Sequence, residues 1–296
     1  MKRRLKSGNR GFVNAMFIAP ALILFCLFTY YPLLCNFYYS LTNWDGKTPE
    51  KAFIGLKNFI DLFSDKLMLQ AIGNTIYFAI VLILMGTLLQ LGSALILYSK
   101  PKGHNVIKCL LYLPAVLSPI VLSFTWIQFL QYTGYINQLL ELFRQADLQQ
   151  TWLANEHTVK LWLCIIQSLQ YAGYGMIFFL TGLNGVPREV FEAAELDGAQ
   201  GVKKFFHVTL PLIMPSVTVV SFISITGALN TYAIPFALTG GGPNGASTTI
   251  TMQIYQRAFA YHQFGYASAL SVIFFIFIAI VTSAQLFFTR KREVEY

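Results

Sequence analysis

A glycine-rich run, GGGPNGAS at residues 240–247, is the stretch that comes closest to a nucleotide-binding motif. It fits G-x-G-x-x-G and nearly fits the phosphate loop G-x-x-x-x-G-K-[ST], but Ala246 stands where that loop needs lysine. Without the lysine no charge reaches the terminal phosphates, and no strand precedes the run. The pattern therefore predicts a turn, and the sequence shows no ATPase site.

Histidine and cysteine, which serve most metal and nucleophilic sites, are scattered along the chain. The sequence has no His-Glu-x-x-His pattern, no nucleophile elbow and no cysteine pair at metal-ligand spacing. We therefore predict no catalytic residue, no metal site and no cofactor bound by this chain. The cysteines fit ordinary packing in apolar segments. The residues in question are His104, His157, His207, His262, Cys26, Cys35, Cys109 and Cys164.

One apolar segment, IIQSLQYAGYGMIFFL at 165–180, carries polar side chains at helical spacing. Gln167, Gln170, Tyr171 and Tyr174 stand at i, i+3, i+4 and i+7, which is one face of a helix. Polar side chains avoid lipid, so this face should point into a helical bundle or a water-filled path. Amides bond hydroxyl groups and tyrosine rings offer flat apolar faces, so the face could line a route for sugars. Packing between helices, with close approach at the intervening glycines, is an equal alternative.

A second polar cluster, Asn230, Thr231 and Tyr232, ends a later apolar segment. We include Asn230 and Tyr232 among the candidate lining residues, although a simple helix end accounts for the cluster somewhat better. Four glutamines stand alone in apolar surroundings and are interpreted as structural: Gln90, Gln128, Gln131 and Gln285.

The composition indicates which elements carry these side chains. Only 11% of the 296 residues are charged and 55% are apolar, whereas a soluble domain has about 25% charged residues. These figures exclude a disordered chain and argue against a soluble enzyme. Charge-free stretches each exceed the ~20 residues that cross a hydrocarbon core. They predict an all-α integral membrane protein with six transmembrane helices, at about 12–34, 72–98, 110–130, 159–183, 211–232 and 267–288.

The basic residues predict the orientation. With both termini in the cytoplasm, the inner segments hold 14 of the 21 lysines and arginines and the outer segments hold 7. This bias follows the positive-inside rule and accounts for the net charge of +8 without a nucleic-acid partner. The predicted layout is a basic cytoplasmic tail at 1–11, a membrane domain at 12–290 and a short tail at 291–296.

The predicted cytoplasmic loop at 187–211 has the pattern of a short helix, a glycine and a second helix. Pro187 suits a first helical turn, Glu189 lies near the positive end of the helix dipole, and Gly198 supplies a stop. An exposed Phe191 beside small alanines would fit a groove on a partner protein. A helix lying on the membrane surface is an equal alternative.

The run EAAELDGAQGVKKFFHVTLP at 192–211 resembles the EAA loop of binding-protein-dependent ABC importer permeases, in particular the maltose-permease-like carbohydrate group. The resemblance extends over about residues 12–290. Matching segments lie in the right order at 19–33, 53–59, 74–75, 134–137, 152–153, 238–243 and 264–269.

The resemblance implies a type I ABC importer permease in a bacterial or archaeal cytoplasmic membrane. The expected partners are a second homologous permease, two cytoplasmic ABC ATPases that use ATP and Mg, an external solute-binding protein and membrane lipid. ATP binding would open the permeases outward and hydrolysis would return them inward. The residues expected to dock the ATPase are Phe191, Glu192, Ala193, Ala194, Asp197, Gly198 and Phe205, with Glu192 accepting a bond from a basic group.

The predicted function is therefore import of a sugar, favouring a neutral oligosaccharide because the interior of the spans holds no charged residue. The alternative is a secondary active transporter for a small neutral solute. That alternative needs an ionisable coupling residue within the spans, and the only Lys, Arg, Asp or Glu there is Lys160, at the outer end of the span at 159–183. A membrane enzyme would need a catalytic constellation, which is missing from the sequence.

Overall fold

The computed structural model describes residues 7–293, with side chains from residue 14 onward. Residues 1–6 of the predicted N-terminal tail and 294–296 of the C-terminal tail lie outside the described residues. The helices are α1 (Ser7–Phe25), α2 (Tyr31–Ser40), α3 (Lys57–Ser64), α4 (Lys66–Tyr98), α5 (His104–Val116), α6 (Pro119–Leu130), α7 (Tyr135–Leu142), α8 (Val159–Gly185), α9 (Arg188–Leu196), α10 (Gly201–Lys204), α11 (Leu210–Leu212), α12 (Met214–Leu229), α13 (Ala233–Thr239), α14 (Ile250–Tyr255) and α15 (Phe264–Arg290).

Short π-helical turns join some of these helices, at Cys26–Tyr30, Phe205–Thr209 and Gln256–Ala260, and a 3-10 turn lies at Ala146–Leu148. The described chain forms two compact units, one of residues up to 64 with 254–274, and one of residues 65–253 with the segment from 275 onward.

The first unit contains a continuous apolar span, Asn14–Ser40, whose side chains are hardly covered by protein. The chain turns sharply after α2, and Asn58 holds this turn. Its Nδ2 donates to the carbonyl oxygens of Ser40 at 2.9 Å and Thr42 at 2.8 Å. The amide therefore satisfies two backbone acceptors that the helix end leaves free.

Within the described residues, five segments are long and apolar enough to cross a membrane: Asn14–Ser40, Lys66–Tyr98, Val159–Gly185, Met214–Thr239 and Phe264–Arg290. Each overlaps one of the predicted helices and is somewhat longer, and α4 begins six residues earlier than expected. Asp65 explains that start, because its carboxylate accepts bonds from the amides of Leu67 and Met68 and caps the helix.

The segment predicted as a helix at 110–130 differs from the expectation. It is broken between Val116 and Pro119, and the parts on the two sides are bent by 103°. Pro119 has no N–H to bond the preceding turn and it disfavours helical geometry in the residue before it. Accordingly Leu117 and Ser118 are extended, with ψ values of 147° and 131°.

The helix predicted at 211–232 ends three residues early, and a further short helix follows a break. α12 ends at Leu229, the chain leaves helical geometry at residues 230–232, and α13 resumes at Ala233. The side chains of this short break therefore point in directions that a continuous helix would not allow.

The second unit is a bundle around α4 and α8, which pack along each other. α12 packs on both, α5 packs on α8, and α13 packs on α6. Gly173 permits the approach of α5, because a Cβ there would lie 2.2 Å from the carbonyl oxygen of Leu111. The core between these helices includes Phe78, Ile166, Met176 and Phe179, all fully buried.

Candidate functional site

A cavity of about 410 Å³ lies in the second unit between α4, α8, α12 and the break at 230–232. This volume lies within the roughly 300–1,000 Å³ of small-molecule sites. None of the residues that line it carries a charge. Its polar lining consists of Gln90, Gln167, Ser168, Tyr171, Tyr174, Ser224, Asn230, Thr231 and Tyr232.

Five of the six predicted lining residues border this cavity, namely Gln167, Tyr171, Tyr174, Asn230 and Tyr232. Gln170 does not. It is rotated by about 60° around α8 from Gln167, and its Nε2 donates to the carbonyl oxygen of Leu117 at 3.3 Å. Gln170 therefore supports the break between α5 and α6, while the transport role of the other five stays a prediction.

The break at 230–232 is held in place by hydrogen bonds from two directions. Gln167 Nε2 donates to Thr231 Oγ1 at 3.0 Å, and Thr249 Oγ1 donates to the carbonyl oxygen of Thr231 at 2.8 Å. Asn230 Nδ2 donates to the Thr226 carbonyl at 2.9 Å, as expected at a helix end. Asn230, Thr231 and Tyr232 therefore form a helix end and also border the cavity, so the two interpretations of this polar cluster are compatible.

Gln90, which is interpreted from the sequence as structural, also borders the cavity, and only 6% of its surface is exposed. Its Nε2 donates to the Tyr171 carbonyl at 3.3 Å, and its Oε1 has no hydrogen-bond partner among the described residues. Gly175 makes room for the amide, because a Cβ there would lie 2.2 Å from Oε1. The sequence signal is an amide within a long apolar helix, accompanied at helical spacing only by the small hydroxyl residues Thr87 and Ser93.

The cavity wall combines amides with aromatic faces. Tyr171 and Tyr174 expose 37% and 40% of their surface, and Tyr174 contacts Phe178 edge-on with ring centroids 5.5 Å apart. Such a surface can hydrogen-bond hydroxyl groups and pack against the apolar faces of sugar rings. It offers no counter-ion for a charged group.

The glycine-rich run at 240–247 is a turn, and α4 anchors it. Asn74 Nδ2 donates to the carbonyl oxygens of Gly245 at 2.8 Å and Thr248 at 3.0 Å, and Gln70 Nε2 donates to that of Asn244 at 3.0 Å. The side chain of Asn244 in turn bonds the carboxylate of Glu156. The turn is thus a fixed part of the bundle.

The loop at 187–211 corrects one prediction, because Phe191 is buried and not exposed. Its ring contacts Tyr98 edge-on with centroids 6.1 Å apart, and it joins the core formed with Leu97, Leu183 and Ile213. The expectation failed because the sequence does not reveal that the end of α4 covers this face of α9. Phe191 therefore fixes the loop to the bundle.

The opposite face of the loop is open. Glu192, Ala193 and Asp197 are exposed, and Ala194 and Phe205 are half-buried. Three large apolar side chains are exposed beside them: Leu196 (90%), Val202 (73%) and Phe206 (56%). Exposed large apolar side chains in a loop between membrane spans suit contact with a partner protein.

Gly198 ends α9 in the left-handed region, with φ of +80°. Its amide donates to the Glu195 carbonyl at 3.1 Å, and the amide of Ala199 donates to the Ala194 carbonyl at 2.9 Å. Glycine adopts this geometry without steric cost, so it terminates the helix and sets the direction of α10.

Residues 89–294 match the family described as binding-protein-dependent transport system inner membrane component. The chain belongs to this family. It is therefore a multi-pass inner-membrane permease and not an enzyme. The family description favours a binding-protein-dependent importer over the secondary active transporter that the sequence left as an alternative.

Two curated permeases are similar over nearly their whole length. The multiple sugar-binding transport system permease protein MsmF of Streptococcus mutans is 33% identical over 279 residues, which cover 94% of this chain and 95% of MsmF. The probable starch degradation products transport system permease protein AmyD of Thermoanaerobacterium thermosulfurigenes is 31% identical over 295 residues, covering 100% of both chains.

The permease also shares its fold with a solved structure. A chain of a bacterial ABC transporter involved in the import of the acidic polysaccharide alginate superposes with a TM-score of 0.84 at 20% identity, covering 98% of this chain and 99% of that one. The permease thus has the type I ABC importer fold, as predicted. The matched family range, 89–294, contains every predicted lining and docking residue and also Gln90.

Among residues 7–293 of the permease, no group of three or more His, Cys, Asp or Glu side chains could hold a metal ion.

Proposed function

We propose that this permease forms half of the membrane pathway of an ATP-driven importer for a neutral oligosaccharide. The observation that carries the proposal is the uncharged cavity of about 410 Å³, with its amides, hydroxyls and tyrosine rings. MsmF and AmyD, whose names refer to sugars and to starch degradation products, support a carbohydrate as cargo.

The neutrality of the cargo follows from desolvation. An anionic sugar entering a cavity of low dielectric loses hydration, and no lysine or arginine of this chain lines the cavity to compensate. A neutral sugar needs only donors, acceptors and flat apolar faces. The alginate transporter shows that the fold accepts an acidic cargo, so the argument rests on the lining residues and not on the fold.

The partners in this proposal are a second, homologous permease, two cytoplasmic ABC ATPases and an external solute-binding protein. The family description, which refers to binding-protein-dependent transport, supports the last of these. The exposed apolar surface beside Glu192 supports an ATPase docked on the loop at 187–211. In this arrangement both termini lie in the cytoplasm, and ATP with Mg is used by the partner ATPase.

The proposal is tested by uptake in vesicles that contain the whole importer, with competition by unlabelled sugars. Excess neutral oligosaccharide should block uptake of the labelled cargo, whereas phosphorylated or acidic sugars should not. Gln167→Ala and Tyr171→Ala should each weaken uptake by about tenfold, because the loss of one hydrogen bond or one ring contact weakens binding by about that factor. Leu169→Ala, on the same helix but outside the cavity lining, is the matched control.

Two results would contradict the proposal. One is efficient transport of an anionic sugar that neither cavity variant affects. The other is an equal loss of uptake in Leu169→Ala, which would show that the cavity residues act through helix stability.

A further inference from the structure

We propose that Tyr98, the last residue of α4, is a positioning residue that joins the loop at 187–211 to the cavity wall. The proposal deepens the proposed function and rests on it, because it presumes that an ATPase acts on this loop. The chain connects the loop covalently to α8 and α12. Tyr98 adds a third connection, to α4, which the covalent path does not supply.

The contact between Tyr98 and the loop is made through Phe191. Phe191 is 8% exposed, and its ring meets that of Tyr98 at 60° with centroids 6.1 Å apart. Leu97 of α4 and Leu183 of α8 belong to the same buried cluster. Because close-packed contacts shift as units and do not deform continuously, a movement of α9 must displace the end of α4 or open this contact.

Lys204 makes α9 and α10 move together. Its Nζ lies 2.6 Å from Glu195 Oε1 and 5.1 Å from the centre of the Phe191 ring. Phe191 and Glu195 are one helical turn apart, so this single side chain of α10 contacts two residues on one face of α9. The opposite face carries the exposed Leu196. The loop is therefore preformed, with one face for a partner and the other attached to the bundle.

α4 extends from this contact to the cavity. It is continuous from Lys66 to Tyr98 and has no proline. Gln90 borders the cavity eight residues before Tyr98, which is about 12 Å along the helix axis. A displacement of Tyr98 is thus carried to the cavity wall by a rigid element over a short distance.

The test measures coupling directly and does not require the cargo to be known. In a cysteine-free background, Gly227→Cys reports on the cavity, because Gly227 borders it and a Cβ there meets nothing within 4 Å. In the whole importer, the labelling rate of this cysteine by an impermeant thiol reagent is compared before and after trapping with ATP and vanadate. ATP hydrolysis is recorded in parallel.

We expect trapping to change the labelling rate of the otherwise unmodified importer by about tenfold, a usual size for coupling between sites. Tyr98→Ala should retain ATP hydrolysis and lose most of this change, whereas Tyr98→Phe, which keeps the ring, should preserve it. Tyr132→Ala, which truncates an exposed tyrosine, is the matched control.

A second variant covers the case in which Tyr98→Ala does not assemble. Tyr98→Cys and Phe191→Cys together replace the ring contact and are then joined by a short bifunctional thiol reagent, and the ATP-dependent change in the cavity is read from a probe at position 227 that is attached without a thiol. The bridged importer should recover the ATP-dependent change that the unbridged pair has lost, and a failure to recover it would overturn the proposal.

The outcomes separate the two proposals. An unaltered ATP-dependent change in Tyr98→Ala overturns the role of Tyr98 and leaves the proposed function intact. If the importer with native Tyr98 shows no ATP-dependent change at all, the proposed function fails, and the role of Tyr98 fails with it.

Discussion

Replacing Gly175 by alanine tests how the cavity holds Gln90. The new Cβ would lie 2.2 Å from Gln90 Oε1 and 2.3 Å from Cδ, whereas ordinary contacts begin near 3.4 Å. The amide must therefore leave its place and lose its hydrogen bond to the Tyr171 carbonyl. In membranes such a bond contributes about 0.6 kcal/mol on average and at most about 1.7.

The same substitution gains helix propensity, because alanine is favoured over glycine by about 1 kcal/mol within a helix. The two effects nearly cancel, so Gly175→Ala should leave stability almost unchanged. Gly227 borders the same cavity, but a Cβ there meets no neighbour within 4 Å. Gly227→Ala should therefore stabilise the helix by the full difference in helix propensity. The difference between the two variants isolates the displacement of Gln90.

The assay is thermal unfolding of the purified permease, followed by tryptophan fluorescence, in a double-mutant cycle with Gln90→Ala. With the amide removed, Gly175→Ala should stabilise as much as Gly227→Ala. A coupling of about 1 kcal/mol corresponds to a shift of about 2–4 °C in Tm for a domain of this order of size. If both glycine variants shift Tm equally in both backgrounds, Gln90 does not occupy the space that Gly175 leaves.

Three further outcomes are expected. Gly198→Val should reduce cargo-stimulated ATP hydrolysis but not membrane insertion, since a β-branched residue at φ +80° costs about 1–3 kcal/mol, and wild-type stimulation would contradict this. Cysteines placed at Lys51 or Gln149 should react with an impermeant label from outside, and one at Lys203 only after permeabilisation. Outside labelling at Lys203 would reverse the predicted orientation. Asn74→Ala removes the side-chain hydrogen bonds to the carbonyl oxygens of Gly245 and Thr248. It should make the glycine-rich turn sensitive to protease, and unchanged resistance would contradict that expectation.

The spans could be predicted from the sequence because the length of an apolar segment is a local property. The break at Pro119 could not, because proline alone does not decide whether a helix ends. Pro114 lies five residues earlier and is accommodated within α5. The difference at Pro119 is a tertiary contact, because Gln170 of α8 donates a hydrogen bond to the Leu117 carbonyl that the break leaves free.

The candidate site likewise combines features that local sequence predicts with features that depend on distant neighbours. Helical spacing placed Gln167, Tyr171 and Tyr174 on one face, and the structure brings that face to the cavity. The burial of Phe191 and the position of Gln90 depend on neighbours distant in the chain, at Tyr98 and Gly175. No local pattern indicates such partners, so the sequence does not reveal that Phe191 is buried or that Gln90, interpreted as structural, also borders the cavity.

The bond between Gln170 and Leu117 also sets an order of events during synthesis. The donor follows the acceptor by 53 residues, so it does not yet exist when the segment at 110–130 leaves the ribosome. At elongation rates of about 5–20 residues per second, the delay is roughly 3–10 s. During that interval the Leu117 carbonyl must be solvated by water or by the insertion machinery. The bend therefore reaches its final form only when α8 arrives beside it, so the third membrane segment matures after the fourth has been made.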